Sequence, residues 1–368
     1  MPTKMPSLFA ANGSEAWMMF DLKRLVRKNI RNLKPYSSAR SEFVGMAEVF
    51  LDANENAFGS PAGNGYNRYP DPLQTEIKQR VAAIKGVEAS QIFVGNGSDE
   101  AIDLLFRIFC EPGHDETIIC PPTYGMYRVS ADVNDVNVRE IPLTTEFQLD
   151  VPAILSGISE WTKLIFICSP NNPTGNLMQR KSVIQIAKNV NGIVVVDEAY
   201  IDFASEPSLT KELGNLPNLV ILQTFSKAWG MAGLRVGLAF ASPEIIDLMN
   251  CVKPPYNVSG IAQTAVLSAL DDEEKVKDWI DSALRQRAKL VDSLDRYAFV
   301  ETIFPSDANF ILVKVADAIE VYSCLLEEKI VVRNRNNVEL CAGCVRITVG
   351  TAEENDKLLD ALAAGFPE

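Results

Sequence analysis

The sequence predicts an α/β protein in which a large domain, with a mostly parallel sheet flanked by helices, is joined to a smaller α+β domain. As far as residue 254, short apolar runs of strand length alternate with stretches of helical apolar spacing, as in a parallel sheet covered by helices on both faces. The pair Pro254-Pro255 then interrupts this alternation. Polar residues directly follow several of the apolar runs, and ligands of such sheets bind at the carboxyl ends of the strands.

Six apolar runs are predicted to form strands of the large domain, and turn residues bound each of them. They lie at residues 91–95, 117–120, 164–168, 192–197, 219–222 and 237–241. A strand-like run at 49–53 precedes them, and helices are expected at 73–85 and 179–190. Another helix is expected directly after residue 97, with Ser98 as a candidate N-cap.

The pattern changes beyond residue 254 and predicts the smaller domain. Its expected elements are helices near 258–270 and 272–297, a strand at 309–315 and a hairpin-like pair at 328–334 and 344–350. We expect residues 66–254 to form the large domain, and residues 255–368 to form the small domain together with residues 21–65 at the other end of the chain. Residues 1–20 lack the charged start and long apolar stretch of a signal peptide and are interpreted as an N-terminal extension.

Composition and charge exclude several classes of function. The 368 residues are 47% hydrophobic and carry a net charge of −13, which disfavours nucleic acid and anionic membrane surfaces as partners. No apolar run approaches the roughly 20 residues that cross a bilayer. Seven cysteines, an odd number, favour free thiols in a reducing cytoplasm. Cys341 and Cys344 form a lone C-x-x-C, and the single histidine, His114, is distant in sequence, so we expect no metal site.

Lys227 is the first candidate catalytic residue, because it closely follows a predicted buried strand. A poorly solvated ammonium group at such a position has a lowered pKa, and the neutral amine can form a Schiff base with an aldehyde. Thr224, Ser226 and Arg235 lie near it in sequence and suit a phosphate group. The hypothesis is therefore a phosphorylated aldehyde cofactor, pyridoxal 5'-phosphate. From the local sequence alone, a surface lysine after a strand is the alternative.

Asp197 is the second candidate, because it ends another apolar run. An isolated buried carboxylate costs several kcal/mol, which a pyridinium nitrogen would offset. In return the carboxylate would keep that nitrogen protonated and make the ring an electron sink. Tyr200 and Asn172 could donate hydrogen bonds to the phenolate oxygen of the ring. A turn cap at the strand end is the alternative for Asp197.

The loop that precedes the helix at residue 98 is a candidate phosphate site. A glycine-flanked loop that opens a helix offers free backbone N–H groups to a phosphate, although most such turns only cap helices. Ser98 and Asp99 would share this site with Ser226 and Arg235. Tyr124, in an aromatic-rich turn, could lie flat on a heteroaromatic ring.

Two arginines, Arg333 and Arg346, lie on the two strands of the predicted terminal pair. They could form a fork that receives a substrate phosphate or carboxylate. Exposed ladder residues are the alternative.

Eight motifs resemble, in order from about Leu33 to the C-terminus, those of aminotransferases of the aspartate-aminotransferase fold type. Among these, the histidinol-phosphate aminotransferases are the most similar family. The motifs are LDANEN, NRYPDP, GNGSDEAIDLL, PTYGMY, SPNNPTG, DEAYIDF, TFSKAWGMAGLRVG and RITVGT.

The resemblance implies a role for each candidate around the cofactor. Lys227 would be the Schiff-base lysine, Asp197 would bind the pyridine nitrogen, and Tyr124 would stack on the ring. Asn172 and Tyr200 would face the phenolate oxygen. The residues implied around the cofactor phosphate are Ser98, Asp99, Thr224, Ser226 and Arg235.

The resemblance also implies a substrate site and a homodimer with shared active sites. Tyr69 would reach the cofactor phosphate of the other subunit. The residues implied to bind the substrate, mainly at its anionic end, are Tyr36, Asn172, Arg333 and Arg346.

The expected reaction is amino transfer from L-histidinol phosphate to 2-oxoglutarate, as one step of histidine biosynthesis in the cytoplasm. An aromatic aminotransferase or a threonine-phosphate decarboxylase of the same fold is an alternative. A non-catalytic, cofactor-binding regulatory module is another, but such a chain should carry a basic DNA-binding domain or lack a catalytic residue, and neither is seen.

Overall fold

A computed structural model describes residues 20–34, 49–63 and 65–366. Strands β1 to β7 form one sheet: β1 (Ile92–Asn96), β2 (Glu116–Ile119), β3 (Asn137–Glu140), β4 (Thr162–Cys168), β5 (Ile193–Asp197), β6 (Leu219–Thr224) and β7 (Val236–Phe240). Strands β8 to β11 form a second sheet: β8 (Val300–Ile303), β9 (Phe310–Val315), β10 (Arg333–Asn334) and β11 (Cys344–Thr348).

Twelve α-helices accompany the strands in the described residues. The first six are α1 (Leu22–Leu25), α2 (Lys28–Arg31), α3 (Thr75–Lys85), α4 (Ser98–Phe109), α5 (Met126–Val133) and α6 (Val151–Gly157). The other six are α7 (Arg180–Lys188), α8 (Pro243–Val252), α9 (Gly260–Leu270), α10 (Glu273–Leu294), α11 (Ala318–Glu327) and α12 (Ala352–Gly365). No helix of this part of the chain combines the length and the apolar character needed to cross a bilayer.

The large sheet has the strand order β1-β7-β6-β5-β4-β2-β3. Its neighbours from β6 to β3 pair in parallel, and only β7 runs antiparallel to both of its neighbours. Strands β5 and β6 are buried at every residue, as expected for continuous apolar runs covered on both faces. The predicted mostly parallel sheet flanked by helices is therefore confirmed.

The small sheet is antiparallel, with the order β10-β11-β9-β8. Successive side chains of β9 point to opposite faces of the small sheet and so pack into two different cores. Phe310 and Leu312 belong to the core shared with one face of the large sheet, whereas Ile311 and Val313 pack with α10, α11 and α12. The small sheet is therefore held against the large sheet and its helices, and its β10–β11 edge carries the predicted arginines.

Two local predictions were wrong. Residues 49–53 form no strand, and Val49 and Leu51 are exposed, so their apolar pattern has no sheet face to cover. Ser98 is the first residue of α4 rather than its N-cap. Gly97 holds the cap position at φ +75°, in the left-handed region that favours glycine, and makes no side-chain cap.

The N-terminal described segment lies on the large sheet. Leu25 and Val26 are buried in the core cluster that contains Phe106 and Ile108, and the Arg27 N–H donates to the carbonyl of Ile108 at 3.0 Å. The small sheet takes its strands from residues 300–348 in the described part of the chain. The division of the chain into two domains, with its boundaries, stays a proposal.

Candidate active site

A cavity of about 740 Å³ opens at the carboxyl ends of β4, β5 and β6 and faces the β10–β11 edge of the small sheet. Its volume lies within the usual range of small-molecule sites. Twelve of the fourteen predicted site residues line it: Ser98, Asp99, Tyr124, Asn172, Asp197, Tyr200, Thr224, Ser226, Lys227, Arg235, Arg333 and Arg346.

Asp197 is a buried carboxylate at the floor of this cavity, with 3% of its surface exposed. Burial raises the pKa of Asp197 to about 6, and hydrogen bonds from Tyr127 and from the Ala199 N–H oppose that rise. The Tyr127 hydroxyl donates to Oδ2 at 2.7 Å, and the Ala199 N–H donates to Oδ1 at 3.1 Å. Asp197 is thus fixed in orientation from the protein side and lines the cavity with its acceptor capacity only partly used.

The neighbouring Glu198 shows what a purely structural buried carboxylate looks like. It accepts from the Ser208 hydroxyl at 2.5 Å, the Leu209 N–H at 2.8 Å and the Gln223 amide at 3.0 Å, and it does not line the cavity. Glu198 therefore has its partners within the fold, whereas Asp197 lies where a ligand cation would complete its set.

Lys227 lies across the cavity, with Nζ 5.4 Å from the ring centre of Tyr200. Its side chain is exposed to the open cleft, while the surrounding protein still desolvates the charge. This desolvation lowers the pKa of Lys227, and the positive charge of Arg346 lowers it further. The expected neutral amine at the end of β6 therefore has a physical basis in this geometry.

The predicted phosphate corner is built from the start of α4 and the segment after β6. Gly97 has φ +75°, which favours glycine, and a Cβ there would lie 2.8 Å from Nη2 of Arg235, so a side chain at this position would also displace the arginine. Arg235 Nη1 is 3.5 Å from the Ser226 hydroxyl, and Nη2 is 3.4 Å from Asp99 Oδ2. The Ser226 N–H donates to the Thr224 hydroxyl at 3.0 Å. Hydroxyls, a guanidinium and a helix N-terminus thus converge at one end of the cavity.

Tyr124 is oriented by Asp99, to which its hydroxyl donates at 3.2 Å. Burial, together with the nearby Asp99 charge, raises the pKa of Tyr124, so its hydroxyl stays protonated at neutral pH. The carboxylate of Asp99 is therefore engaged with Tyr124 and Arg235, and its backbone N–H in the first turn of α4 is the group suited to a phosphate.

Asn172 is oriented by Arg346, whose Nη1 donates to the Asn172 side-chain oxygen. Since a guanidinium only donates, this contact leaves the amide NH₂ of Asn172 as the group offered to a ligand. Arg346 also lies 5.1 Å from the ring centre of Phe310. A residue of the small sheet thereby positions Asn172, which follows β4 of the large sheet.

Three arginines line the mouth of the cavity, and we call Arg333, Arg335 and Arg346 the arginine cluster. Arg333 lies directly opposite Arg346 in the β10–β11 ladder, as the predicted strand pair required. Arg335 was not predicted, although its spacing of two residues from Arg333 is the signal of a shared strand face.

The other missed residue is Tyr127, which is fully buried and holds Asp197. Its ring stacks on Phe166 at 4.8 Å. Nothing in the sequence distinguishes this tyrosine from a core aromatic, because its role depends on where the packed hydroxyl points.

Two predicted residues are not brought into the cavity by this chain. Tyr36 lies outside the described residues. Tyr69 is about half exposed and stacks on Tyr256, with ring centres 4.3 Å apart. Lys253 joins the turns that carry these rings, since its ammonium donates to the carbonyls of Pro72 at 2.7 Å and Pro255 at 3.0 Å.

Asp197 makes the stability of the cofactor-free protein depend on pH. Its folded pKa of about 6 exceeds the unfolded value near 3.9, so its contribution is fully present below about pH 4 and lost as pH rises to about 6. Asparagine has no such loss. The quantity to compare is the free energy of unfolding of Asp197→Asn minus that of wild type. We expect this difference to be larger at pH 8 than at pH 4 by up to about 2–3 kcal/mol. Urea denaturation of both cofactor-free proteins at the two pH values measures this.

Tyr127→Phe is the companion variant for that experiment. Loss of the phenol donor should raise the pKa of Asp197 further and extend the pH window upward. A stability difference between wild type and Asp197→Asn that stays constant from pH 4 to pH 8 would contradict a buried carboxyl with a raised pKa.

The residues present fit pyridoxal phosphate. Asp197 suits a protonated ring nitrogen, Lys227 suits the aldehyde, and the corner at Gly97 and Arg235 suits the phosphate. The cavity thus fits a class of protein, the pyridoxal-phosphate-dependent enzymes, which include aminotransferases.

Comparison with known proteins gives the same class. Residues 43–362 match the aminotransferase class I and II family, and the chain therefore belongs to that family. It is 56% identical to a histidinol-phosphate aminotransferase of Parabacteroides distasonis, over 94% of this chain and 99% of the relative. A histidinol-phosphate aminotransferase of Cytophaga hutchinsonii is 53% identical over the same shares. The predicted family resemblance is confirmed.

Among solved structures, the fold is similar to that of the histidinol-phosphate aminotransferase from Clostridium acetobutylicum. The TM-score is 0.75 at 25% identity, with 81% of this chain and 90% of the other covered. The predicted fold class is confirmed at this level as well.

Proposed function

We propose that this enzyme transfers the amino group of L-histidinol phosphate to 2-oxoglutarate, giving imidazole acetol phosphate and L-glutamate in histidine biosynthesis. The observation that carries the proposal is a single cavity with Asp197 at its floor, Lys227 across from it and the arginine cluster at its mouth. Relatives of this name that are more than half identical over nearly the whole chain support it.

Pyridoxal phosphate, when bound, supplies an aldehyde that exchanges amines and a ring that accepts electrons. Asp197 would hold the proton on the ring nitrogen, and Tyr127 would keep that carboxylate in place. Tyr200 and the amide of Asn172 would donate to the phenolate oxygen. Ser98, Ser226 and Arg235 would hold the phosphate, and Tyr124 would cover the ring.

Lys227 would move the proton of the reaction. Its lowered pKa increases the fraction of neutral amine at neutral pH, and that amine can take the proton from the substrate Cα. The Lys227 ammonium formed in this way would hold the proton inside the cavity and then give it back, so that one residue would serve as base and as acid. The second substrate, 2-oxoglutarate, takes the same steps in reverse.

The two substrates present different anions to the same site. Histidinol phosphate carries a phosphate and lacks a carboxylate, whereas glutamate carries carboxylates and lacks a phosphate. Arg333 and Arg346, opposite each other on neighbouring strands, would form the fork that accepts either anion.

An assay with three amine donors tests the substrate. Purified enzyme with pyridoxal phosphate and 2-oxoglutarate should form glutamate rapidly from histidinol phosphate and much more slowly from phenylalanine or threonine phosphate. Carbon dioxide release from threonine phosphate would favour the decarboxylase alternative, since the fold alone does not decide the reaction. Absence of turnover with histidinol phosphate would remove the proposal.

We also propose that the enzyme acts in the cytoplasm as a homodimer with shared active sites. In the described residues, the segment around Tyr69 exposes several large apolar side chains, which is typical of an interface. They are Val49, Leu51, Phe58, Tyr66, Tyr69 and Leu73. Tyr69 of one subunit would complete the phosphate corner of the other.

Mixing two inactive variants tests the shared site. Lys227→Ala and Tyr69→Ala place their lesions in the same active site of a mixed dimer, which leaves the second site intact. We expect the unfolded, refolded mixture to regain about a quarter of wild-type activity, as random pairing of equal amounts predicts. The readout is glutamate formation from histidinol phosphate.

The matched control is a mixture of Lys227→Ala and Asp197→Asn, two residues from the same chain's cavity. Each site of that mixed dimer carries one lesion, so no activity should return. Equal recovery in both mixtures, or none in the first, would exclude a role for Tyr69 across the interface.

A further inference from the structure

Arg335 shares one face of the small sheet with the predicted arginine pair. Arg333 is opposite Arg346, and the Arg335 N–H donates to the carbonyl of Cys344 at 2.8 Å, which continues the ladder by two residues. Residues two apart on a strand point to the same face, and diagonal neighbours across strands lie about 7–8 Å apart. All three guanidiniums accordingly line the cavity.

The arginine cluster lacks the charge partners that surround other arginines of this acidic chain. The protein carries a net charge of −13, and Arg235 in the same cavity is paired with Asp99. Among the described residues, no carboxylate contributes to the electrostatic environment of Arg335 or of Arg346. Like charges opposite each other on a sheet are destabilising, so an uncompensated cluster calls for an anionic ligand.

The side chain of Arg335, unlike its backbone, makes no hydrogen bond or ion pair within the described residues that would explain its place. Its Nε is buried without a hydrogen-bond acceptor in the described part of the chain, as is the Nε of Arg346. Burial lowers the pKa of Arg335, and Arg333 lowers it further. By contrast, Arg346 already holds Asn172 and packs on Phe310. The Arg335 guanidinium is therefore left for a ligand.

We propose that Arg335 makes the arginine cluster selective for a phosphate ester over a carboxylate. This inference rests on the proposed function and adds a residue to its substrate site. A carboxylate has two oxygens and one charge, which the fork of Arg333 and Arg346 satisfies. A phosphate ester has three terminal oxygens and a charge between about −1.5 and −2 at neutral pH. A third guanidinium can therefore donate to the remaining oxygen and balance the additional charge.

The two half-reactions provide the test within one enzyme. In a ping-pong reaction the kcat/KM for each substrate reports its own half-reaction. We expect Arg335→Gln holoenzyme to lower kcat/KM for histidinol phosphate by roughly 10–100-fold, the usual effect of a lost charged hydrogen bond, and that for 2-oxoglutarate by less than about threefold. The kcat/KM for histidinol, which lacks the phosphate, should likewise fall by less than about threefold.

Three comparisons keep the test independent of protein quality. The ratio of the two kcat/KM values is measured on one preparation, so a fraction of misfolded protein cancels. Arg335→Lys retains the charge without the planar fork and should lie between wild type and Arg335→Gln. Arg285→Gln, on an exposed face of α10, should leave both values unchanged.

Equal losses in both half-reactions, or no loss in either, would overturn the proposal for Arg335. If the wild-type enzyme turns over histidinol phosphate in that experiment, the proposed function stands even though the proposal for Arg335 has failed. If wild type fails to turn over histidinol phosphate, both the function and the inference are overturned.

Discussion

Replacing Lys227 with alanine is expected to lower the rate of glutamate formation from histidinol phosphate by about 10⁴-fold or more. The amine both exchanges with the substrate amine and moves the Cα proton, and positioned acid–base groups alone contribute typically about 10²–10⁴-fold. No other lysine lines the cavity in the described residues, so no neighbour can replace it. The measurement is kcat at saturating cofactor and substrates.

The control for this variant is Lys289→Ala, which removes an exposed lysine from α10. It should retain wild-type kcat. Added methylamine should restore part of the lost rate in Lys227→Ala, because a free amine can enter the vacated volume as a base. More than about one per cent of wild-type kcat without added amine would show that the proton is moved by another group.

Replacing Asp197 with asparagine is expected to lower kcat by roughly 10²–10³-fold and to weaken cofactor binding. An amide cannot balance the charge of a protonated ring nitrogen, and losing one partner of a buried charge pair costs about 2–5 kcal/mol. Asparagine keeps the size of the side chain and can still contact the Tyr127 hydroxyl, which lies 2.7 Å from Oδ2. Packing changes are therefore small.

Two measurements check the Asp197 prediction. The kcat at saturating pyridoxal phosphate reports the electronic role, and fluorescence titration of the cofactor-free protein reports the change in affinity. Asp281→Asn, an exposed position on α10, is the matched control. Wild-type kcat in Asp197→Asn would show that the buried carboxylate is only a turn cap. Urea denaturation of the same variant at the pH of the assay separates a loss of activity from a loss of folded protein.

Six of the seven strands of the large sheet could be predicted because their residues are mostly buried, which requires apolar runs such as those in 193–197 and 219–224. Strand β3 (Asn137–Glu140) was not predicted, because it is largely exposed and has no apolar run. The order of the strands could not be predicted, since pairing of β1 with β7 brings together residues more than a hundred positions apart. Local pattern carries no information on such long-range partners.

Most of the site could be predicted because its polar residues follow apolar strands. Asp197 and Thr224 are the last residues of β5 and β6, and parallel strands end at the same edge of the sheet. Tyr127 could not be found in this way, because its role depends on its buried hydroxyl pointing at Asp197, and the sequence does not show that direction. Arg335 could have been found from its spacing to Arg333. The wrong strand at 49–53 shows that an apolar run without a covering layer does not make a strand.

Identifying the lysine that holds the cofactor tests the central claim most directly. Two other lysines, Lys78 and Lys253, are buried in the fold, and burial lowers the pKa of each to about 8. Lys253, however, is bound by backbone carbonyls, and neither lysine lines the cavity. Borohydride reduction of the holoenzyme followed by peptide mass analysis should place the cofactor mass on Lys227 alone. Cofactor attached to Lys78 or Lys253, or none attached to Lys227, would contradict the assignment of the active site.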